Sequence, residues 1–138
     1  MSKLNELFLF ISITLLLIFV ESFINCRIIK KYKKVNHAGR MVFRIVIALI
    51  NCWPCWDSEV AVLELFILFS FQAITFWFWF DLSLNILMGW QYDYIGNTAR
   101  TDKFVRFLSG GAKNSITYLL ARGICWVGAL VFLFSYYL

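Results

Sequence analysis

Long apolar runs separated by short polar segments dominate this chain, and within each run the apolar residues follow one another without alternation. Four such runs contain few charged residues and lie at about 7–24, 41–56, 60–80 and 115–138. A helix needs about 20 mainly apolar residues to cross a hydrocarbon core of about 30 Å, whereas the strands of membrane barrels alternate apolar and polar positions. The pattern therefore predicts an all-α fold: a polytopic membrane protein with four transmembrane helices in a compact bundle.

The composition leads to the same class of protein. Apolar residues make up 62% of the 138 residues and charged residues 15%, whereas soluble domains are about 45–50% apolar and about 25% charged. So few polar residues cannot cover a water-soluble globule. We expect a single membrane domain over residues 1–138.

Basic residues are concentrated in two stretches beside the apolar runs. The first contains Arg27, Lys30, Lys31, Lys33, Lys34, Arg40 and Arg44, and the second contains Arg100, Lys103, Arg106 and Lys113. Lys and Arg accumulate in the short cytoplasmic loops of membrane proteins. We therefore predict cytoplasmic loops at 25–40 and 81–114, and both termini on the outer side of the inner (cytoplasmic) membrane. The net charge of +5 then favours anionic lipid headgroups as partners rather than nucleic acid.

The second cytoplasmic loop contains a short amphipathic stretch. Phe104 and Phe107 would face lipid while Lys103 and Arg106 face phosphate, which predicts a short interfacial helix that ends at the glycines 110–111. If the third span continues as a helix beyond residue 80, Asp81, Asn85 and Gly89 share one face. Gly89 is then the natural residue to end that helix.

Three charged residues, Glu21, Arg44 and Arg122, lie inside predicted spans. An isolated charge in hydrocarbon is costly, so such residues tend to face a partner or a wet cavity. One hypothesis is that Glu21 pairs with Arg44 or Arg122 and locks the bundle. The alternative is that both arginines extend to the headgroups.

Cys52 and Cys55 form a C-x-x-C motif at the predicted outer end of the second span. The spacing can close a small disulfide, and thiols in such motifs are often reactive. A four-helix membrane protein with this motif at a span end resembles the quinone-linked disulfide-forming membrane oxidoreductases, which implies thiol–disulfide exchange. Those enzymes need a second thiol pair, and Cys26 and Cys125 are expected at different depths. A structural disulfide and two free thiols remain the alternatives.

A polar set is expected to gather on the cytoplasmic side, and its members are His37, Arg40, Asp81, Asn85 and Asp102. These residues could bind a headgroup phosphate or a divalent ion, which would suit a lipid- or phosphate-binding membrane enzyme. The alternative is a polar connection whose aspartates pair with Arg100, Lys103 and Arg106. The chain lacks the usual metal, phosphate-loop and nucleophile motifs, so we expect no resident metal and no cofactor.

The inner loop also carries a pattern: Asp81-x3-Asn85-x3-Gly89, then Tyr94-x-Gly96-x-Thr98-Ala99-x2-Asp102, with His37 and Arg40 upstream. This pattern resembles small uncharacterised membrane proteins of phages and prophages over roughly 37–106. The resemblance implies a genomic setting and no chemistry.

The function expected from the sequence is a structural or partner-binding membrane module rather than an enzyme, and one version is a holin-like permeabiliser. Small residues in the fourth span would allow another helix, including a second copy, to approach closely; they are Gly123, Gly128, Ala129 and Ser135.

Overall fold

Five helices account for nearly all of the chain that the computed structural model describes, which is residues 3–32, 37–52, 61–95, 100–108, 110–111, 113 and 115–137. The helices are α1 (Lys3–Tyr32), α2 (His37–Asn51), α3 (Ala61–Met88), α4 (Arg100–Leu108) and α5 (Ile116–Tyr137). The all-α prediction is confirmed in these described ranges.

Three of the helices are long and apolar enough to cross a membrane: Lys3–Tyr32, Val62–Met88 and Ile116–Tyr137. α2 has 15 residues and is about 22 Å long at 1.5 Å per residue, short of the hydrocarbon thickness of about 30 Å. The structure thus indicates a membrane protein with three candidate spanning helices in the described part. The fourth predicted crossing is not shown by helix length.

The contacts between helices define how the chain runs. The ring of Phe10 on α1 lies 6.1 Å from that of Phe71 on α3, and Cys26 donates a 3.4 Å hydrogen bond to the Leu87 carbonyl, so α1 and α3 are parallel. α2 returns along α1, because Arg44 contacts Glu21 whereas Asn51, two helical turns later, contacts Thr14.

α5 runs antiparallel to α3. Arg122 near its start contacts Asp81 near the end of α3, and the later Leu133 packs with residues from the start of α3. The apolar core therefore lies at the opposite end of the bundle from these charges, and it contains Leu7, Phe10, Cys52, Ile67, Leu68, Phe71 and Leu133.

The end of α3 is a Schellman motif built around Gly89. This residue has a φ of +72°; its N–H donates to the Ile86 carbonyl at 3.1 Å, and the Trp90 N–H donates to the Asn85 carbonyl at 2.9 Å. The Leu87 carbonyl accepts from Cys26 and from Lys30 Nζ at 3.2 Å. The sequence prediction that Gly89 ends this helix is confirmed, and the helix runs eight residues past the predicted span end at residue 80.

The described surface is apolar and the described interior is partly polar. Large hydrophobic side chains are exposed along α1, α2, α3 and α5, whereas the buried polar residues are Thr14, Glu21, Ser22, Asn25, Asn51, Glu64, Gln72, Thr75, Asn85 and Arg122. Water-soluble proteins almost never bury charged residues unless they are paired, and lipid-embedded helices turn polar residues toward one another. The distribution suits a protein surrounded by lipid.

Candidate functional site

α2 carries its polar residues on the side that faces the bundle. Arg40, Arg44 and Asn51 share one face at spacings of four and seven residues, and Arg44 and Asn51 contact α1. The other side exposes large apolar residues: Met41, Val42, Phe43, Ile45, Val46, Leu49 and Ile50. In a water-soluble protein, an amphipathic helix turns its apolar face toward the core and its polar face toward solvent.

Glu21 is the acid that fastens α2 to α1. Arg44 Nε donates to Glu21 Oε1 at 2.7 Å, and the carboxylate side chain is only 9% exposed. A second guanidinium, that of Arg40, lies 3.9 Å from the same oxygen. The guanidinium of Arg44 also lies over the rings of Phe76 and Phe80, 4.1 and 4.6 Å from their centroids, so it ties all three helices together.

The far end of α2 is held by neutral hydrogen bonds. Asn51 Nδ2 donates to Thr14 Oγ1 at 2.9 Å and to the Phe10 carbonyl at 3.5 Å. Thr14 donates its own hydroxyl to that carbonyl at 2.8 Å. α2 is therefore anchored to α1 near both of its ends.

Along this contact, α1, α2 and α3 line a half-open cavity of about 650 Å³, within the range of about 300–1,000 Å³ typical of small-molecule sites. Its wall is mainly apolar, and its polar side chains are Thr14, Glu21, Arg40, Arg44 and Gln72. Gln72 is 7% exposed, and its Nε2 has no hydrogen-bond partner among the described residues. We call this space the α1–α2–α3 cavity.

Arg122 makes the second ion pair, between α5 and α3. Its Nη1 donates to Asp81 Oδ2 at 2.5 Å and to the Trp77 carbonyl at 3.0 Å, and its guanidinium lies 4.6 Å from the Tyr118 ring centroid. Of the two partners that the sequence suggested for Glu21, the structure places Arg44 against it and Arg122 against Asp81.

The predicted cytoplasmic set does not come together as one site in the described residues. Asp81 is engaged by Arg122. Asn85 donates to the carbonyls of Tyr92 and Tyr94 at 3.1 and 2.9 Å, and so it holds the turn after α3. Arg40 lines the cavity.

The two other members of that set, the side chains of His37 and Asp102, lie outside the described residues. Among the residues described, no group of three or more His, Cys, Asp or Glu side chains could hold a metal ion.

The turn after α3 is further fixed by Arg106, which the sequence placed at phosphate. Its Nε and Nη2 donate to the Ile95 carbonyl at 3.1 and 2.5 Å, and the Ile95 N–H donates to the Lys113 carbonyl at 2.7 Å. Ile95 is buried. Arg106 thus joins α4 to the loop.

Cys52 is fully buried in the apolar core, and Cys55 lies outside the described residues. The disulfide between them, and thiol exchange at this motif, stay predictions. Cys26 lies on α1 beside the Leu87 carbonyl, whereas Cys125 is exposed on α5.

Comparison of the chain with protein-family models, with curated proteins and with solved structures found no match.

Proposed function

We propose that this protein is a polytopic protein of the cytoplasmic membrane that crosses the bilayer four times, has both termini outside, and acts as a structural or partner-binding module. The observation that carries the proposal is the orientation of α2. α2 turns Arg40 and Arg44 toward the bundle and exposes Val42, Val46 and Leu49. A helix with this orientation is most stable when lipid surrounds its outer face.

The direction of the chain supports α2 as the fourth crossing. Because α1 and α3 are parallel, the chain returns between them, and α2 runs back from the level of Glu21 to the level of Phe10. Its 15 residues are short for a span, and local thinning of the bilayer accommodates such a segment at modest cost. The arginines in its first half are compensated within the bundle by Glu21.

Cysteine accessibility tests this topology. Single cysteines at Asn5, Lys31, Tyr94 and Tyr136, in a background with Cys26, Cys52, Cys55 and Cys125 replaced by serine, are treated with a membrane-impermeant maleimide. We expect labelling of positions 5 and 136 in intact cells, and labelling of positions 31 and 94 only after permeabilisation. Labelling of positions 31 and 94 from opposite sides would show that α2 does not cross.

Partner binding is proposed for the outer face of α5. α5 is the least buried of the three long helices. A Cβ added at Gly128 would meet no atom within 4 Å, whereas one at Gly123 would meet the Phe78 ring at 3.6 Å. The small residues that were predicted to let another helix approach are thus divided: Gly123 and Ala129 pack inward, and Gly128 is open to another helix.

Self-association through this face is testable with the exposed thiol of Cys125. Oxidative crosslinking in membranes should give a Cys125-linked dimer in wild type, and Gly128→Leu should reduce its yield several-fold because the side chain holds the backbones apart. Val127→Phe adds the same four carbon atoms at the neighbouring exposed position and should change the yield little. Equal yields in the wild type and both variants would contradict an interface at Gly128.

A further inference from the structure

The α1–α2–α3 cavity presents its chemistry in a fixed order along the helices. At the end where α2 begins, it is lined by Arg40, Arg44 and Glu21. Gln72 lies four residues before Phe76 on α3, which places it about 6 Å further from the charged end at 1.5 Å per residue; the ring of Phe76 contacts the guanidinium of Arg44. Beyond Gln72 the wall is mainly apolar and includes Leu17 and Phe69, and the one polar side chain named there, Thr14, already bonds Asn51 and the Phe10 carbonyl.

The charged end has an excess of one positive charge among its described side chains, because two guanidiniums face one carboxylate. Arg44 donates Nε to Glu21 and its guanidinium lies over the two phenylalanine rings. Arg40 approaches Glu21 only to 3.9 Å, and its side chain is 20% exposed, so its fork of N–H donors can bind a further anion. Guanidinium forks match phosphate oxygens with two parallel hydrogen bonds.

The middle of the cavity lacks an acceptor. Gln72 is more than nine-tenths buried and lines the cavity, and its Nε2 finds no partner within the described residues. A buried donor without an acceptor is costly, so the occupant of the cavity has to supply one at this depth.

We propose that the cavity binds one anionic, ester-linked phospholipid. A phospholipid carries a phosphate, then ester carbonyls, then acyl chains, in the order in which the cavity presents guanidiniums, an amide donor and an apolar wall. The phosphate lies at Arg40, a carbonyl accepts from Gln72, and one chain follows Leu17 and Phe69. Basic pockets between transmembrane helices bind such headgroups. The inference goes beyond the proposed function and rests on it only in that the three helices lie in the bilayer.

The headgroup contact is tested by native mass spectrometry of the full chain in detergent with dioleoyl phosphatidylglycerol, dioleoyl phosphatidylcholine or inorganic phosphate. We expect one phosphatidylglycerol per chain, weaker phosphatidylcholine and no retained inorganic phosphate. Arg40→Gln should weaken phosphatidylglycerol about fivefold. Arg27→Gln, which removes an equal charge from the exposed surface of α1, should have a smaller effect. Equal losses in the two variants, equal affinity for both lipids, or retention of inorganic phosphate alone would overturn the proposal.

The carbonyl contact has its own test. Gln72→Leu should weaken ester-linked phosphatidylglycerol about fivefold, the scale of one lost hydrogen bond, and should leave the affinity for a diether phosphatidylglycerol unchanged. An equal loss for both lipids would overturn the assignment of Gln72.

The position of the lipid's acyl chain is tested by filling the cavity. Ala48→Phe adds a ring inside it, whereas Leu49→Phe adds one on the exposed side of α2. Only the first should abolish retention, and retention by both variants would overturn the cavity as the site. Because these measurements are made in detergent, they can fail while the topology holds, and the cysteine labelling can fail while the lipid still binds.

Discussion

A short Arg–carboxylate pair joins α1 to α2 (Arg44 with Glu21) and another joins α3 to α5 (Arg122 with Asp81), and the two pairs are buried in opposite ways. In the first, the carboxylate of Glu21 is 9% exposed and the side chain of Arg44 is 32% exposed. In the second, the side chain of Arg122 is 4% exposed and that of Asp81 is 39% exposed. The buried member, whose charge needs the partner for compensation, is therefore the acid in the first pair and the arginine in the second.

The difference matters because removing one member of a buried pair leaves the other charge unpaired, at a cost of about 3–5 kcal/mol, whereas an exposed charge is solvated. In the first pair the buried group is the carboxylate of Glu21, and the guanidinium of Arg40, 3.9 Å away, is a second partner for it. In the second pair the dependent group is Arg122, whose remaining described acceptor is the Trp77 carbonyl. The α3–α5 pair should be the more fragile of the two.

The largest expected effect follows from removing the acid of the α3–α5 pair. Asp81→Ala should lower the free energy of unfolding by about 3 kcal/mol, because it leaves Arg122 buried without a carboxylate. Arg122→Met should cost only about 1 kcal/mol, because the remaining Asp81 is substantially exposed. Unfolding by SDS in mixed micelles measures both.

Asp93→Ala is the matched control. It removes an equal charge near the same loop, and it keeps the backbone carbonyl of residue 93, which accepts a hydrogen bond from the Ser115 N–H. A larger loss for Arg122→Met than for Asp81→Ala would reverse the proposed asymmetry of this pair.

A smaller effect is expected in the α1–α2 pair, with the order of the two partners exchanged. Arg44→Gln should cost about 2 kcal/mol because Glu21 stays buried and only Arg40 remains near it. Glu21→Gln should cost about 1 kcal/mol, because Arg44 keeps its two aromatic contacts and is partly exposed. The same mixed-micelle titration applies. An unchanged free energy of unfolding in Glu21→Gln would show that the pair does not stabilise the bundle.

The elements that sequence reasoning predicted well are those set by local chemistry. Gly89 ends α3 because a residue with positive φ completes the Schellman motif, and a helix occupies 100–108, where the amphipathic stretch lies. The four apolar runs predict helices. The hydropathy of a run shows which residues prefer lipid, but it does not show at which residue a helix ends. α1 and α3 therefore extend beyond the predicted span ends at residues 24 and 80.

The contacts of the candidate site depend on packing that a single sequence does not contain. Asp81 was expected in a cytoplasmic loop, so its pairing with Arg122 was missed, although the rule that charges within a span seek a partner would have directed a search for one. The same rule points to Gln72, the polar residue in the middle of α3. The phage-type resemblance, the holin-like activity and the thiol chemistry of Cys52 with Cys55 stay predictions.

In the proposed topology, the lengths of α1 and α3 determine what a molecule that approaches from the cytoplasm meets first. The last eight residues of α1, after Ile24, and the last eight of α3, after Phe80, each add about 12 Å of helix. Cys26 and Lys30 donate hydrogen bonds to the Leu87 carbonyl, so the two extensions pack side by side and project together beyond the acyl layer. Arg27, Lys30 and Lys31 lie on the α1 extension, and a negatively charged molecule that approaches the membrane meets them before it reaches the lipid surface.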